Sequence, residues 1–304
     1  MAEPARRVGP MDNAHAQDWS VLDLGHALVS QRTIYLVDLK VDVWGVDEIA
    51  GSPLPVTCII LAHGWANKAK DMEPMAAGLL GEFRRLEAES GGRKRDVIVA
   101  TLDQRNHGER RVNKSLQSFQ KNPRQFGIDM STALVGGKQD HELIMQFLSG
   151  RLWADGSRVI SEWISVGFSM GGHLCWRLLR ECPQVKLGIP ICSTPSESLG
   201  NLLRAKVLPP HAPEVTQPPE VVHYFSQSHH EPNHWERYKG KKILAVHGQL
   251  DNVMPFRLGA ESWEKLAPHT AAAERYEEPG RGHVCSPPMV RRAAEFIWKH
   301  SVSQ

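Results

Sequence analysis

Gly167-Phe168-Ser169-Met170-Gly171 forms a G-x-S-x-G pattern, a spacing that presents a serine hydroxyl for attack on an acyl carbonyl. Its flanks supply the turn that this chemistry needs: the apolar run WISVG precedes it as a strand, and GGHLCWRLLREC follows it as a helix. A serine on so sharp a turn sits in a strained backbone conformation, and small residues at positions 167 and 171 let strand and helix come close. The helix that starts after Ser169 aims its N-terminal N–H groups and positive dipole end at the oxyanion that attack would create.

A serine hydroxyl is a poor nucleophile until a base takes its proton, and that base must in turn be oriented by an acid. Candidates for both lie downstream. The run KKILAV leads into HGQLD, placing Asp251 just beyond a strand end, and GRGHVC puts His283 on a glycine-rich loop before the last helix. Glu197, which follows the run VKLGIPIC, is an alternative acid. The oxyanion needs a second donor beside the Met170 N–H, and HGW after the run PVTCIILA offers the main-chain N–H of Trp65. Functional groups of open α/β sheets converge at the C-terminal edge of the strands, where all these residues fall.

The elements that must position them are legible as five short, continuously apolar runs: residues 55–62, 96–102, 163–167, 185–192 and 241–246. Continuous rather than alternating apolarity predicts strands covered on both faces, as in a parallel sheet. Segments with helical spacing lie between them, so the architecture is α/β. Met75, Leu79 and Phe83 mark one helix; the pairs Leu143 with Phe147 and Ile144 with Leu148 mark a second, each helix expected to pack one stripe onto the sheet. In the last helix Ser286 is the cap, Pro287 opens the first turn, and Val290, Ala294 and Ile297 share a face. The alternating stretch 33–46 predicts a half-buried strand or hairpin at a sheet edge. Residues 1–26 are polar and aperiodic, a loosely held arm, and 27–304 form a single domain. Its segment of about 193–240 carries PP twice and reads as a lid or a long surface excursion.

Composition narrows the function classes. Lys plus Arg (36) nearly equals Asp plus Glu (34) in 304 residues, so no single-sign field draws the chain to nucleic acid or an anionic membrane. No run of about 18 apolar residues exists, so neither a membrane span nor a secretory signal is expected. Five scattered cysteines in or beside apolar segments read as reduced thiols of a cytoplasmic protein. His223, His229, His230 and His234 raise the question of a metal. With no interleaved cysteine, no H-E-x-x-H pattern and Pro232 in the run, they read as a solvated histidine-rich lid.

HGW, DQRNHGER, GFSMGGH, HGQLD and GRGHVC, in this order and spacing, resemble the α/β-hydrolase superfamily, more narrowly its small esterase-like members with a D-x-R-N-H-G segment. The resemblance covers about residues 55–298. It implies an eight-stranded, mostly parallel sheet flanked by helices, and a Ser169-His283-Asp251 triad acting on a small-molecule acyl substrate through an acyl-enzyme. It also implies no metal and no organic cofactor, and a mainly structural role for the DQRNHG stretch, with Asp103 bracing the loop. Esters, lactones and thioesters all satisfy this chemistry. So do acyl transfer, C–C cleavage, elimination or cyclisation by a repurposed triad, and a hydrolase-type pocket can also bind without turnover.

Overall fold

The computed structural model describes residues 17–113, 123–195 and 234–304. Eight strands form one sheet: β1 (Gln31–Leu36), β2 (Leu39–Trp44), β3 (Val56–Ala62), β4 (Asp96–Thr101), β5 (Ile160–Phe168), β6 (Val185–Ile191), β7 (Lys242–Gly248) and β8 (Ala272–Glu278), in the order β1-β2-β4-β3-β5-β6-β7-β8. The hairpin β1–β2 and the β2–β4 pair are antiparallel; every other pairing is parallel. The five predicted runs become β3 to β7, and the sheet is the one that the resemblance implies.

The apolar runs are continuous because both faces are covered. On β3 and β4, Cys58, Ile60, Ile98 and Ala100 enter one core with Ile144, Leu174 and Leu178, while Ile59, Leu61, Val97 and Val99 enter the other with Met75, Leu79, Val290 and Ala294. The first core lies under α2 (Pro123–Leu152) and α3 (Met170–Glu181), the second under α1 (Glu73–Ser90) and α5 (Pro287–Ile297). A short helix, α4 (Ala260–Leu266), lies between β7 and β8. Alternate side chains of a strand point to opposite faces, so a two-sided core asks for apolar residues at every position.

Helix ends and stripes follow the sequence closely. In α5 the Met289 N–H donates to Ser286 Oγ at 3.4 Å, Pro287 opens the helix, and Val290, Ala294 and Ile297 are buried. Met75, Leu79 and Phe83 are buried along α1. On α2 only one of the two predicted pairs faces the core: Ile144 and Leu148 are fully buried, whereas Leu143 and Phe147 are 43% and 55% exposed. Neighbouring residues on a helix point about 100° apart, and a single sheet-facing stripe accommodates one pair.

Two further features depart from the expectation. Strand β8, AAERYEE, is absent from the sequence reading because it is a charged, half-covered edge strand; pairing from Lys242↔Ala272 to Gly248↔Glu278 forms it. The last ten residues of the expected arm are held. Leu22, on a 3-10 turn (Ser20–Asp23), is fully buried in the core beside α1, and His26 Nε2 meets the buried Glu82 carboxylate at 2.9 Å. Trp19 and Leu24 pack against the same core, so a few apolar residues too sparse to register as periodicity pin the segment.

Candidate active site

Order along the sheet reverses at β3: the chain steps from β3 to β4 on one side and returns to β5 on the other. At such a switch point the loops after the neighbouring strands part and leave a crevice at the C-terminal edge. Ser169 follows β5 and Trp65 follows β3, two strands paired through Ala62↔Gly167.

Ser169 occupies the turn between β5 and α3 with φ 53° and ψ −113°, a conformation costly for any residue with a Cβ. It is over-determined by its surroundings. The Ser169 N–H donates to Ile191 O at 2.9 Å, its carbonyl accepts from the His173 N–H at 3.0 Å, and strand and helix interlock at two glycines. A Cβ on Gly167 would overlap the Gly171 carbonyl, and one on Gly171 would overlap the Ala62 carbonyl oxygen. These contacts also press the start of α3 against the end of β3. Met170 is the first residue of α3, so its N–H belongs to the turn that lacks acceptors within the helix.

The structure brings together Ser169, His283 and Asp251. Ser169 Oγ lies 2.9 Å from His283 Nε2, and His283 Nδ1 lies 2.8 Å from Asp251 Oδ2. The other carboxylate oxygen, Oδ1, accepts from the N–H groups of Val253 and Met254 at 2.9 and 2.8 Å. Burial alone would raise the Asp251 carboxyl, but the hydrogen bond and charge of His283, with the Met254 N–H, outweigh it and hold the group below the usual carboxylate range. Asp251 is therefore an anion whose remaining strong partner is the imidazole. With Nδ1–H donating to Asp251, Nε2 is left bare towards the serine hydroxyl, the tautomer a general base requires. Glu197 lies outside the described residues, as do His223, His229 and His230.

The Trp65 side chain is buried edge-on against His107 and Phe126, with centroids 5.0 and 4.9 Å away. The DQRNHGER segment holds this loop from beneath. Asp103 accepts from the Ala69 and Glu109 N–H groups, each at 2.7 Å, while Arg105 and Arg110 converge on Asp140 of α2 at 3.0 and 2.7 Å. Asp103 thus braces the loop. His63, the residue after β3, accepts from the Gln104 N–H at 2.9 Å and donates from Nδ1 to Gly64 O at 2.8 Å.

Three contacts at the site join residues far apart in the sequence. Trp19 packs edge-on against Phe168 at 5.4 Å, Phe168 lies 5.2 Å from the His283 ring, and Gln17 Oε1 accepts from the Cys285 N–H at 2.7 Å. The available signal was a tryptophan beside Val21, Leu22 and Leu24 in a stretch without periodicity. A cavity of about 670 Å³ is lined by Lys40, Trp44, Asn67, Lys68 and Arg110, among others, and by none of Ser169, Asp251 and His283.

Several imidazoles around the site are buried and neutral. Burial lowers His63 to about 3 and His141, His173 and His247 to about 4. In the unfolded chain these groups take up protons near pH 6.5, so the unfolded state binds more protons as pH falls below that value. Stability is expected to be full near pH 7 and to decline between about pH 6.5 and pH 4, by on the order of 2 kcal/mol per histidine between pH 7 and pH 5. Urea unfolding at the two pH values checks this, and equal midpoints would contradict it.

The chain matches no protein-family model and no curated protein sequence. Among solved structures it is similar to TT1662 from Thermus thermophilus, with 19% identity over 90% of this chain and 98% of that one and a TM-score of 0.62. It is similar to an acylaminoacyl peptidase from Pyrococcus horikoshii, with 12% identity over 91% of this chain and 42% of that one and a TM-score of 0.55. A cold-adapted esterase from an Arctic intertidal metagenomic library is 14% identical over 88% of this chain and 92% of that one, with a TM-score of 0.50. At these identities the likeness is one of fold. No described helix is long and apolar enough to cross a membrane.

Proposed function

We propose that this chain, built on the α/β-hydrolase fold, is a serine hydrolase that cleaves small acyl compounds (esters, lactones or thioesters) through a covalent acyl-enzyme. The observation that carries the reading is the continuous hydrogen-bonded chain from Ser169 Oγ through His283 to the buried Asp251 carboxylate, with steps of 2.9 and 2.8 Å. Ser169 Oγ attacks the acyl carbonyl as His283 Nε2 takes its proton, and Asp251 stabilises the imidazolium. The N–H groups of Met170 and Trp65 receive the oxyanion, one at the head of α3 and the other on the adjoining loop after β3. The imidazolium then protonates the leaving group. In the second half, water gives its proton to His283 and attacks the acyl carbonyl, and Ser169 leaves with the proton restored. The fold shared with an esterase and with an acylaminoacyl peptidase supports acyl chemistry as the class.

Hydrolysis of a short-chain p-nitrophenyl ester tests the reading. Because acylation by so good a leaving group outruns deacylation, the expected time course is a burst of about one p-nitrophenolate per enzyme followed by a slower steady rate. Hydrolysis no faster than in buffer for acetyl, butyryl and octanoyl esters alike would overturn it.

A further inference from the structure

Cys192 is the residue immediately after β6, and its backbone lies in the left-handed region at φ 50°. A non-glycine residue there needs surroundings that hold it. The Cys192 N–H donates to Val246 O at 2.7 Å, and the fully buried thiol donates to Val284 O at 3.5 Å, one residue beyond His283. Cys192 Sγ, a carboxylate oxygen of Asp251 and a ring nitrogen of His283 all lie within 4.8 Å of one another. The thiol therefore borders both members of the acid–base pair. Asp251 already accepts three hydrogen bonds, from His283, Val253 and Met254, and a carboxylate offers about four lone-pair directions.

Resting on the triad reading above, we propose that Cys192 is a positioning residue, whose one S–H is shared between Val284 O on the His283 loop and the remaining lone pair of the Asp251 carboxylate, and so moderates that carboxylate. Burial, and then the neighbouring Asp251 charge, push the thiol well above its ordinary range, so it contributes a proton donor rather than a second anion beside the acid. Among the described residues, the other titratable groups packed around the pair are His247 at the end of β7, His173 on α3 and Cys285 before α5. Both histidines are lowered to about 4 and the thiol is raised to about 12, so none of them changes charge between pH 5.5 and 9. A pH profile across that interval then reports on the Asp251–His283 pair. Loss of the thiol donor leaves the carboxylate more basic, strengthens its hold on the imidazolium, and moves the acid limb of Ser169 reactivity to higher pH.

The test is the second-order rate of Ser169 labelling by a fluorophosphonate from pH 5.5 to 9, in the wild type, Cys192→Ala and Cys192→Ser. The alanine variant is expected to shift the acid limb upward by about half a pH unit, a fraction of what a full hydrogen bond to a charged group is worth. The serine variant, whose hydroxyl is the stronger donor, is expected to move the limb below its wild-type position. Folded variants that label at Ser169 with the wild-type limb would overturn the proposal and leave Cys192 a space-filling residue. An unlabelled Ser169 in the wild type would overturn the triad reading, and this one with it. Should Cys192→Ala fail to fold, the downfield Nδ1–H resonance of His283 decides: it is expected to move upfield in Cys192→Ser, and an unmoved resonance would overturn the proposal.

Discussion

Ser169→Ala is expected to lower turnover by on the order of 10⁶ while leaving the fold intact, because a nucleophile, base and acid that act as a unit fail together when one is removed. The expectation of an intact fold is itself structural. What holds the turn is main-chain: the Ser169 N–H to Ile191 O, the Ser169 carbonyl to the His173 N–H, and the glycine contacts on either side. The side chain contributes one hydrogen bond, to His283. Alanine meets the same positive φ as serine, so the strain is unchanged and the loss is confined to the hydroxyl. Steady-state kinetics with an activated ester and a thermal melt check both halves. A well-folded variant that keeps a tenth of wild-type activity would remove Ser169 from the chemistry.

Asp251→Asn is expected to reduce turnover by about 10⁴, for a reason that the hydrogen bonds make specific. Oδ1 is anchored by two N–H donors, Val253 and Met254, so an asparagine would keep its carbonyl oxygen there and turn its NH₂ towards His283 Nδ1. Two donors would then face each other unless the imidazole moved its proton to Nε2, the wrong tautomer for a base towards Ser169. Glu197→Gln is expected to change turnover by less than about twofold, since Asp251 already takes the hydrogen bond of His283 Nδ1. Parallel kcat measurements on the two purified variants separate the carboxylates, and the reverse ranking would transfer the role to Glu197.

The strands that carry the site were legible because each core strand is covered on both faces and so must be apolar throughout; β3 and β4 are buried at every position. Strand β8 was not, because its role is to close an edge: Glu274, Arg275 and Glu277 tolerate solvent, and pairing with β7 forms a strand that composition does not announce. Ser169, Asp251 and His283 stood out because their types and flanks carry chemistry at any distance. Cys192 did not stand out, since a buried thiol after an apolar strand looks like core until the fold sets it beside Asp251. Trp19 was hidden for the opposite reason: its partner, Phe168, lies far along the chain. Most of the expected lid falls outside the described residues. Its far end does not: Tyr238 is fully buried, 6.2 Å from the Trp176 ring on α3.

The central claim is that Ser169 is chemically activated by His283 and Asp251, and site-resolved covalent labelling tests it most directly. Wild-type protein treated with a fluorophosphonate and then digested is expected to carry a single stoichiometric adduct on the GFSMGG peptide at Ser169, with labelling lost in Ser169→Ala and slowed by several orders of magnitude in His283→Ala. Absence of an adduct at Ser169 in folded protein, or an adduct whose rate does not change when His283 is removed, would contradict the account.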